Sequence, residues 1–62
     1  MTITIEDHGS IVLLSPHDAE ARDWLDCSTG AEALWFGGRL VVEPRYLDHI
    51  VDGFTNDGGD VG

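Results

Sequence analysis

Hydrophobic and polar positions along this chain predict two β-hairpins. Residues 2–6 alternate polar and apolar side chains, as a half-buried strand does, and residues 11–14 form a continuous apolar run that suits an inner strand paired with it. Residues 34–36 and 40–42 are two further apolar runs, and Gly37-Gly38 lies between them. Both glycines tolerate the positive φ of a primed turn, so this spacing favours a second hairpin.

A helical pattern follows each predicted hairpin. We expect the first helix to have Ser15 as its N-cap and Pro16 as its first residue, to run to about Asp26 or Cys27, and to be ended by Ser28-Thr29-Gly30. We expect the second helix to begin at Pro44, because the N–H that proline lacks has no partner at that position anyway, and to end at Asn56. The residues predicted to face inward are Ala21, Trp24, Leu25, Tyr46, Leu47, Ile50, Val51 and Phe54.

This order of elements predicts an α+β fold, ββαββα, with a small four-stranded, mostly antiparallel sheet and two helices packed on one face. With 62 residues the chain is one domain. We assign residues 1–56 to that domain and residues 57–62 to a flexible, acidic, glycine-rich tail. The single cysteine, Cys27, excludes an internal disulfide and is expected to be a buried small hydrophobe. No signal-peptide pattern or long apolar run is present, so we expect a soluble, cytoplasmic protein.

The charge balance suggests a function. Twelve acidic residues face three arginines, which gives a formal net charge of −9, while 42% of the residues are hydrophobic and periodic, as in a folded domain. A compact domain of this length spans about 27 Å, and duplex DNA carries roughly 16 charges over the same length. The carboxylates can therefore imitate a polyanion. Those expected to stand in for phosphates lie in the two helices: Asp18, Glu20, Asp23, Asp26, Asp48 and Asp52.

The other six carboxylates are expected at strand ends, in turns and in the tail: Glu6, Asp7, Glu32, Glu43, Asp57 and Asp60. Arg22 is expected to pair with Asp18 or Asp26, four residues away on the first helix. A surface that serves only solubility is the plain alternative. The distribution of the acids separates the two, because one continuous acidic face favours mimicry and an even scatter favours solubility.

Catalysis and metal binding are not expected. The three histidines lie far apart, and no C-x-x-C, H-x-x-x-H or calcium-loop pattern occurs, so we predict no metal and no cofactor. Asp7-His8-Gly9-Ser10 holds triad-type residues, but neighbours in a tight turn do not converge as a catalytic triad does. Trp35 and Phe36 point to opposite sides of a strand, so one of them is expected to be exposed as an aromatic anchor for a partner.

Four runs of residues resemble a known kind of protein: EDHGSIVLLSP at 6–16, WLD at 24–26, WFG at 35–37 and VEPRYL at 42–47. In these runs the chain is similar to very small acidic proteins of phages and mobile elements, among them DNA-mimicking anti-CRISPR proteins. The resemblance implies a non-enzymatic inhibitor that occupies the basic DNA-binding surface of a CRISPR effector. The tail departs from it, since GGDVG stands where a final apolar strand is expected.

We therefore expect a monomeric inhibitor that mimics DNA and blocks the DNA-binding surface of a type I CRISPR-Cas surveillance complex. It would act in the host cytoplasm if phage-encoded, and would contact neither nucleic acid nor membrane directly. The alternative is a small, antitoxin-like interaction module that docks through Trp35 or Phe36 without DNA mimicry.

Overall fold

The protein is a five-stranded mixed sheet with two helices, seen in a computed structural model that describes residues 1–30 and 33–62. The elements are β1 (Thr2–Asp7), β2 (Val12–Pro16), α1 (Ala19–Thr29), β3 (Leu34–Phe36), β4 (Arg39–Val42), α2 (Pro44–Asn56) and β5 (Asp60–Val61). The strand order is β3-β4-β2-β1-β5, and only the β1–β5 pair is parallel. The α+β class is confirmed and ββαββα matches the first six elements, but the predicted count of four strands is wrong.

One face of the sheet forms the core with both helices. Directly paired residues point to the same face, so the register Ile5↔Leu14↔Leu40 identifies the side that the helices cover. The buried apolar side chains at this interface are Ile3, Val12, Leu14, Leu40 and Val42 from the sheet, with Ala21, Leu25 and Phe54 from the helices. Trp24, Leu47 and Ile50 pack around its margin. The predicted inner faces of the helices are confirmed at these residues.

Tyr46 is the exception, because half of its surface is exposed. It lies eight residues before the buried Phe54, which at 100° per residue turns it about 80° from the core direction. On that flank the Arg45 guanidinium carbon lies 4.9 Å from the centroid of its ring. The prediction that Tyr46 faces the core is therefore wrong.

The β3–β4 hairpin follows its glycines. Gly37 and Gly38 have φ values of 58° and 80°, the left-handed conformation that a two-residue primed turn requires at both positions. Phe36 and Arg39 face each other across the turn. This predicted hairpin is confirmed, and so is the start of α2, where Pro44 occupies the first turn.

Helix α1 begins later than predicted. Ser15 and Pro16 pair with Thr4 and Ile3 and so prolong β2. Asp18 is the N-cap instead, and its carboxylate accepts a hydrogen bond of 2.8 Å from the Ala21 N–H.

The far end of α1 also differs from the prediction. The helix continues to Thr29, and Gly30 caps it with a φ of 77°. Cys27 lies two residues after the buried Leu25, which turns it about 200° around the helix. Its thiol is free and exposed, so the prediction of a buried cysteine is wrong.

The fifth strand comes from the glycine-rich tail. The Asp60 N–H donates to the Met1 carbonyl and the Gly62 N–H to the Ile3 carbonyl, both at 2.8 Å. Gly59 is buried just before this strand, and its N–H donates to the Phe54 carbonyl at 2.9 Å. These bonds form a final strand, which the sequence GGDVG had left in doubt. The division into a domain over 1–56 and a flexible tail over 57–62 stays a prediction. Within the described ranges, neither helix has the length and apolarity to cross a membrane.

Candidate protein-interaction surfaces

The two sides of the molecule differ in chemistry. The helices carry the six carboxylates that were predicted to imitate phosphates, and all six residues are exposed. We call this side the acidic helical layer: Asp18, Glu20, Asp23, Asp26, Asp48 and Asp52. In the described part of the chain, no helix covers the opposite side of the sheet, and we call that side the open face. Of the remaining carboxylates, Glu32 lies outside the described residues.

Asp18 and Glu20 are partly neutralised at the start of α1. The N-terminal amino group lies 3.8 Å from the Asp18 carboxylate and 3.6 Å from that of Glu20. The hydrogen bond from the Ala21 N–H, with the nearby amino group, holds the pKa of the Asp18 carboxyl below its usual value. Asp18 therefore serves the fold as a helix cap as well as contributing surface charge.

Asp48 and Asp52 form a separate pair on α2. The ring of Trp24 on α1 lies against Gly53, and its indole N–H donates a 2.6 Å hydrogen bond to Asp57. Gly53 therefore marks the side of α2 that faces α1. At 100° per residue, Asp52 points about 100° and Asp48 about 140° away from Gly53. The structure thus places all six carboxylates on the helical side but divides them into two groups.

The arginines leave much of this layer uncompensated. Arg22 does not pair with Asp18 or Asp26 as predicted; its guanidinium carbon lies 4.3 Å above the centroid of the Trp35 ring. The other two arginines contact glutamates, Arg39 with Glu6 at 3.5 Å and Arg45 with Glu43 at 3.1 Å. Over residues 1–30 and 33–62, no cationic group pairs with the carboxylates of Asp23, Asp26, Asp48 and Asp52.

The open face carries a group of exposed apolar side chains. Phe36 and Leu34 alternate with Trp35 on β3, so both point away from the helices, and they are 63% and 65% exposed. The register sets Leu34 beside Val41 of β4, and Val41 beside Leu13 of β2. With Ile11, which is exposed just before β2, they form what we call the apolar patch, in which Leu13 is buried and Val41 half-buried: Ile11, Leu13, Leu34, Phe36 and Val41. A shallow concavity of about 670 Å³ opens over it, bordered by His8 and Ser10.

A charge-balanced group borders the apolar patch. Arg39 reaches from β4 across β2 to the Glu6 carboxylate on β1. His8 also hydrogen-bonds this carboxylate, at 2.6 Å, and this bond, together with Arg39, holds the pKa of Glu6 below its usual value. Beyond Glu6 the face becomes polar, with a hydrogen bond between Thr4 and His17. The open face therefore joins an apolar half to a polar half with little net charge.

The prediction that one of the two β3 aromatics is exposed is confirmed for Phe36. Trp35 lies on the helical side beneath Arg22, where it is half-buried. Leu34 and Ile11 were missed as parts of this surface. A signal for Leu34 existed, because strand alternation places it on the same side as Phe36.

The described side chains show no arrangement for metal chemistry. Across residues 1–30 and 33–62, no three histidine, cysteine, aspartate or glutamate side chains come together as metal ligands would. Comparisons of the chain with protein-family models, with curated proteins and with solved structures give no match. The two surfaces are therefore the grounds on which a function can be proposed.

Proposed function

We propose that this protein is a non-enzymatic inhibitor whose acidic helical layer imitates DNA and occupies a basic, DNA-binding surface of another protein. The observation that carries the proposal is the set of helix carboxylates that have no cationic partner within residues 1–30 and 33–62, while all three arginines contact other groups. Lysine and arginine side chains of the partner would supply the missing counter-charges.

The dimensions support this proposal. The longest axis of the molecule is 27 Å, and duplex DNA presents roughly 16 phosphate charges over that length, against the net charge of −9 here. Asp48 and Asp52 are separated by one helical turn, about 6 Å along the axis. Two phosphate steps of one DNA strand cover a similar axial distance, about 6.8 Å. The axial spacing of the α2 pair is therefore close to that of two phosphates two steps apart on one DNA strand.

The partner we propose is the target-DNA groove of a type I CRISPR surveillance complex in the host cytoplasm. The resemblance of the chain to DNA-mimicking anti-CRISPR proteins supports this target, as does the chemistry that such a groove must have. Attraction between opposite charges speeds encounter and is screened by salt. Binding to the complex should therefore weaken as ionic strength rises.

Phage plaquing on CRISPR-immune hosts tests the proposal, with and without the protein and across type I subtypes. Rescue of plaquing in one subtype would establish inhibition. A gel-shift competition between the protein and target DNA for the purified complex would then separate DNA mimicry from other modes of inhibition. Absence of rescue in every subtype would reject the proposed target.

The α2 carboxylates give the sharpest variant. Replacing Asp48 and Asp52 by Lys should abolish inhibition while the fold stays intact, because both side chains are exposed and neither forms an ion pair among the described residues. A second double variant replaces Asp48 and Asp52 by Asn. Its control replaces Asp7 and Asp60 by Asn, which removes the same number of negative charges but outside the acidic helical layer. Equal inhibition by both Asn pairs would remove α2 from the proposed site.

A second candidate function is an interaction module that docks through the apolar patch. The exposure of Leu34 and Phe36 favours it. Such a module would bind its partner with little dependence on salt and would lose binding on replacement of Phe36. These two responses distinguish it from the DNA mimic.

A further inference from the structure

The open face is unusual for a chain with so small a core. Leu34 and Phe36 each expose more than three-fifths of their surface, and they lie beside Val41 and Leu13 in one continuous area. Single exposed apolar residues are ordinary, but a contiguous patch flanked by polar residues marks an interaction site. The second helix does not extend over this patch, because both helices pack on the opposite side of the sheet.

We propose that this face binds a second copy of the same chain, so that two sheets pack face to face about a twofold axis. In such an isologous contact each copy presents the same surface, which must be complementary to itself. The surface meets this condition, because each apolar patch would cover the other. The proposed dimer differs from the monomer expected from sequence, and sedimentation decides between the two.

The area is sufficient for a weak dimer. The two longer dimensions of the molecule are 27 and 20 Å, so one face of the molecule projects to at most about 540 Å². Two such faces would bury at most about 1,100 Å² together, below the range of roughly 1,200–2,000 Å² that is usual for stable complexes. The apolar half would form one end of the contact and the polar half around Thr4 and His17 the other, so both halves must be covered to reach this area.

The charge distribution permits this contact in spite of the net charge of −9 on each copy. Stacked sheets place the acidic helical layers on the two outer sides of the dimer, separated by both sheets. The Glu6–Arg39 ion pair on the open face contributes one negative and one positive charge, so it adds no net charge to this face. A twofold axis lets Arg39 of each copy also approach Glu6 of the other, so these groups need not repel.

The concavity supplies a place for an anchor. Its volume of about 670 Å³ exceeds what one aromatic side chain occupies, and Phe36 lies at its border. In the dimer, Phe36 of each copy would enter the concavity of the other. Aromatic anchors of this kind dominate the energetics of interfaces. The proposal is independent of DNA mimicry, because it uses the side of the molecule opposite to the acidic helical layer.

Sedimentation velocity on the full chain, from about 10 μM to 1 mM, measures the dimer directly. We expect reversible dimerisation within this range, as the small area implies. Raising NaCl from 0.15 to 1 M should strengthen it, because salt screens the repulsion between two acidic copies and leaves apolar contact intact. Binding to a basic partner responds to salt in the opposite direction, so failure of one proposal is distinguishable from failure of the other.

A matched pair of variants locates the contact. Phe36→Asp should weaken dimerisation about 30-fold, as loss of an interface hot spot does. Tyr46→Asp is the control, because Tyr46 is also half exposed but lies on α2. Leu34→Asp repeats the test should Phe36→Asp fail to fold by circular dichroism.

Two outcomes would overturn the proposal. One is a wild-type chain that stays monomeric to about 1 mM at both salt concentrations, which would leave the face to a different protein. The other is a dimer that survives both Phe36→Asp and Leu34→Asp in folded protein.

Discussion

Gly59→Ala would test whether the tail is held against the core. A Cβ at position 59 would lie 2.3 Å from Cε2 of Phe54, 2.4 Å from Cδ2 and 2.6 Å from Cζ. Non-bonded carbon atoms prefer separations of about 3.5–4.0 Å, so the ring or the tail must move by about 1 Å or more. The ring cannot move easily, because Phe54 is fully buried and packs edge-on against Trp24 at a centroid distance of 5.1 Å.

The expected loss of stability follows from the two ways in which the clash can be relieved. Forcing extra volume into a packed core costs about 1–3 kcal/mol. If the tail detaches instead, the backbone bonds from Asp60 and Gly62 are lost, each worth about 0.5–1.5 kcal/mol. Both routes give a decrease of about 2 kcal/mol in the free energy of unfolding. A domain of this length has a total of only about 3–9 kcal/mol.

Urea denaturation followed by tryptophan fluorescence measures this change. With a slope near 1 kcal/mol per molar for so small a protein, the midpoint should fall by about 2 M. The matched control is Gly62→Ala, whose Cβ would lie no closer than 3.6 Å to another residue, so its midpoint should stay near that of the wild type. Replacing Phe54 by Leu removes the ring, including the Cε2 and Cζ atoms that the new Cβ would meet, so Gly59→Ala should cost less in that background.

Equal midpoints for Gly59→Ala and Gly62→Ala would refute this reasoning. They would mean that residue 59 does not lie against Phe54 in solution. The flexible tail predicted from sequence over residues 57–62 would then be correct.

Two further predictions concern the helices. Gly53→Ala should raise the free energy of unfolding by about 0.5–1 kcal/mol, because alanine favours the helix and its Cβ would meet the Trp24 ring at an acceptable 3.4 Å. Urea denaturation measures this change. A lower free energy of unfolding than in the wild type would show that Trp24 cannot accommodate a methyl group. Asp18→Ala should destabilise the protein near neutral pH, because the capping carboxylate has a lowered pKa. Ionisation of Asp18 stabilises the fold at pH values above the unfolded pKa of about 3.9, and this stabilisation is lost as pH falls through the lower pKa of the folded state. The difference in free energy of unfolding between Asp18→Ala and the wild type should therefore become smaller in acid. Asp18→Asn is the control, because it keeps an oxygen acceptor but removes the charge. If the difference in free energy of unfolding between Asp18→Ala and the wild type is constant across pH, the charge of Asp18 has no role.

The elements set by local chemistry were predictable. Gly37-Gly38 requires only that two residues adopt positive φ, and Pro44 requires only a helix start that does without one N–H. The error at Ser15-Pro16 has a different origin. Their capping chemistry was correct in isolation, but the pairing with Thr4 and Ile3 held them in β2. A local signal cannot report a strand partner that lies elsewhere in the sequence.

Some features of the candidate surface could also not be predicted from the local sequence pattern. Arg22 leaves the acids of its own helix for Trp35, thirteen residues later, because folding brings β3 next to α1. The number of acids and their placement on helices could be predicted, but not their division into two groups, which depends on how Trp24 meets Gly53. Helical periodicity could have predicted that Cys27 is exposed, since Leu25 and Cys27 cannot lie on the same face of a helix.

The parallel pairing of β5 with β1 also sets an order of assembly. Thr2 and Asp60 are partners although 58 positions separate them, whereas both hairpins join residues that are close in sequence. Closing so long a loop costs more chain entropy than closing a hairpin, so we expect this contact to form late in folding. A contact absent from the transition state affects the rate of unfolding more than the rate of folding. We therefore expect the pairing of Asp60 and Val61 with β1 to slow unfolding more than it speeds folding.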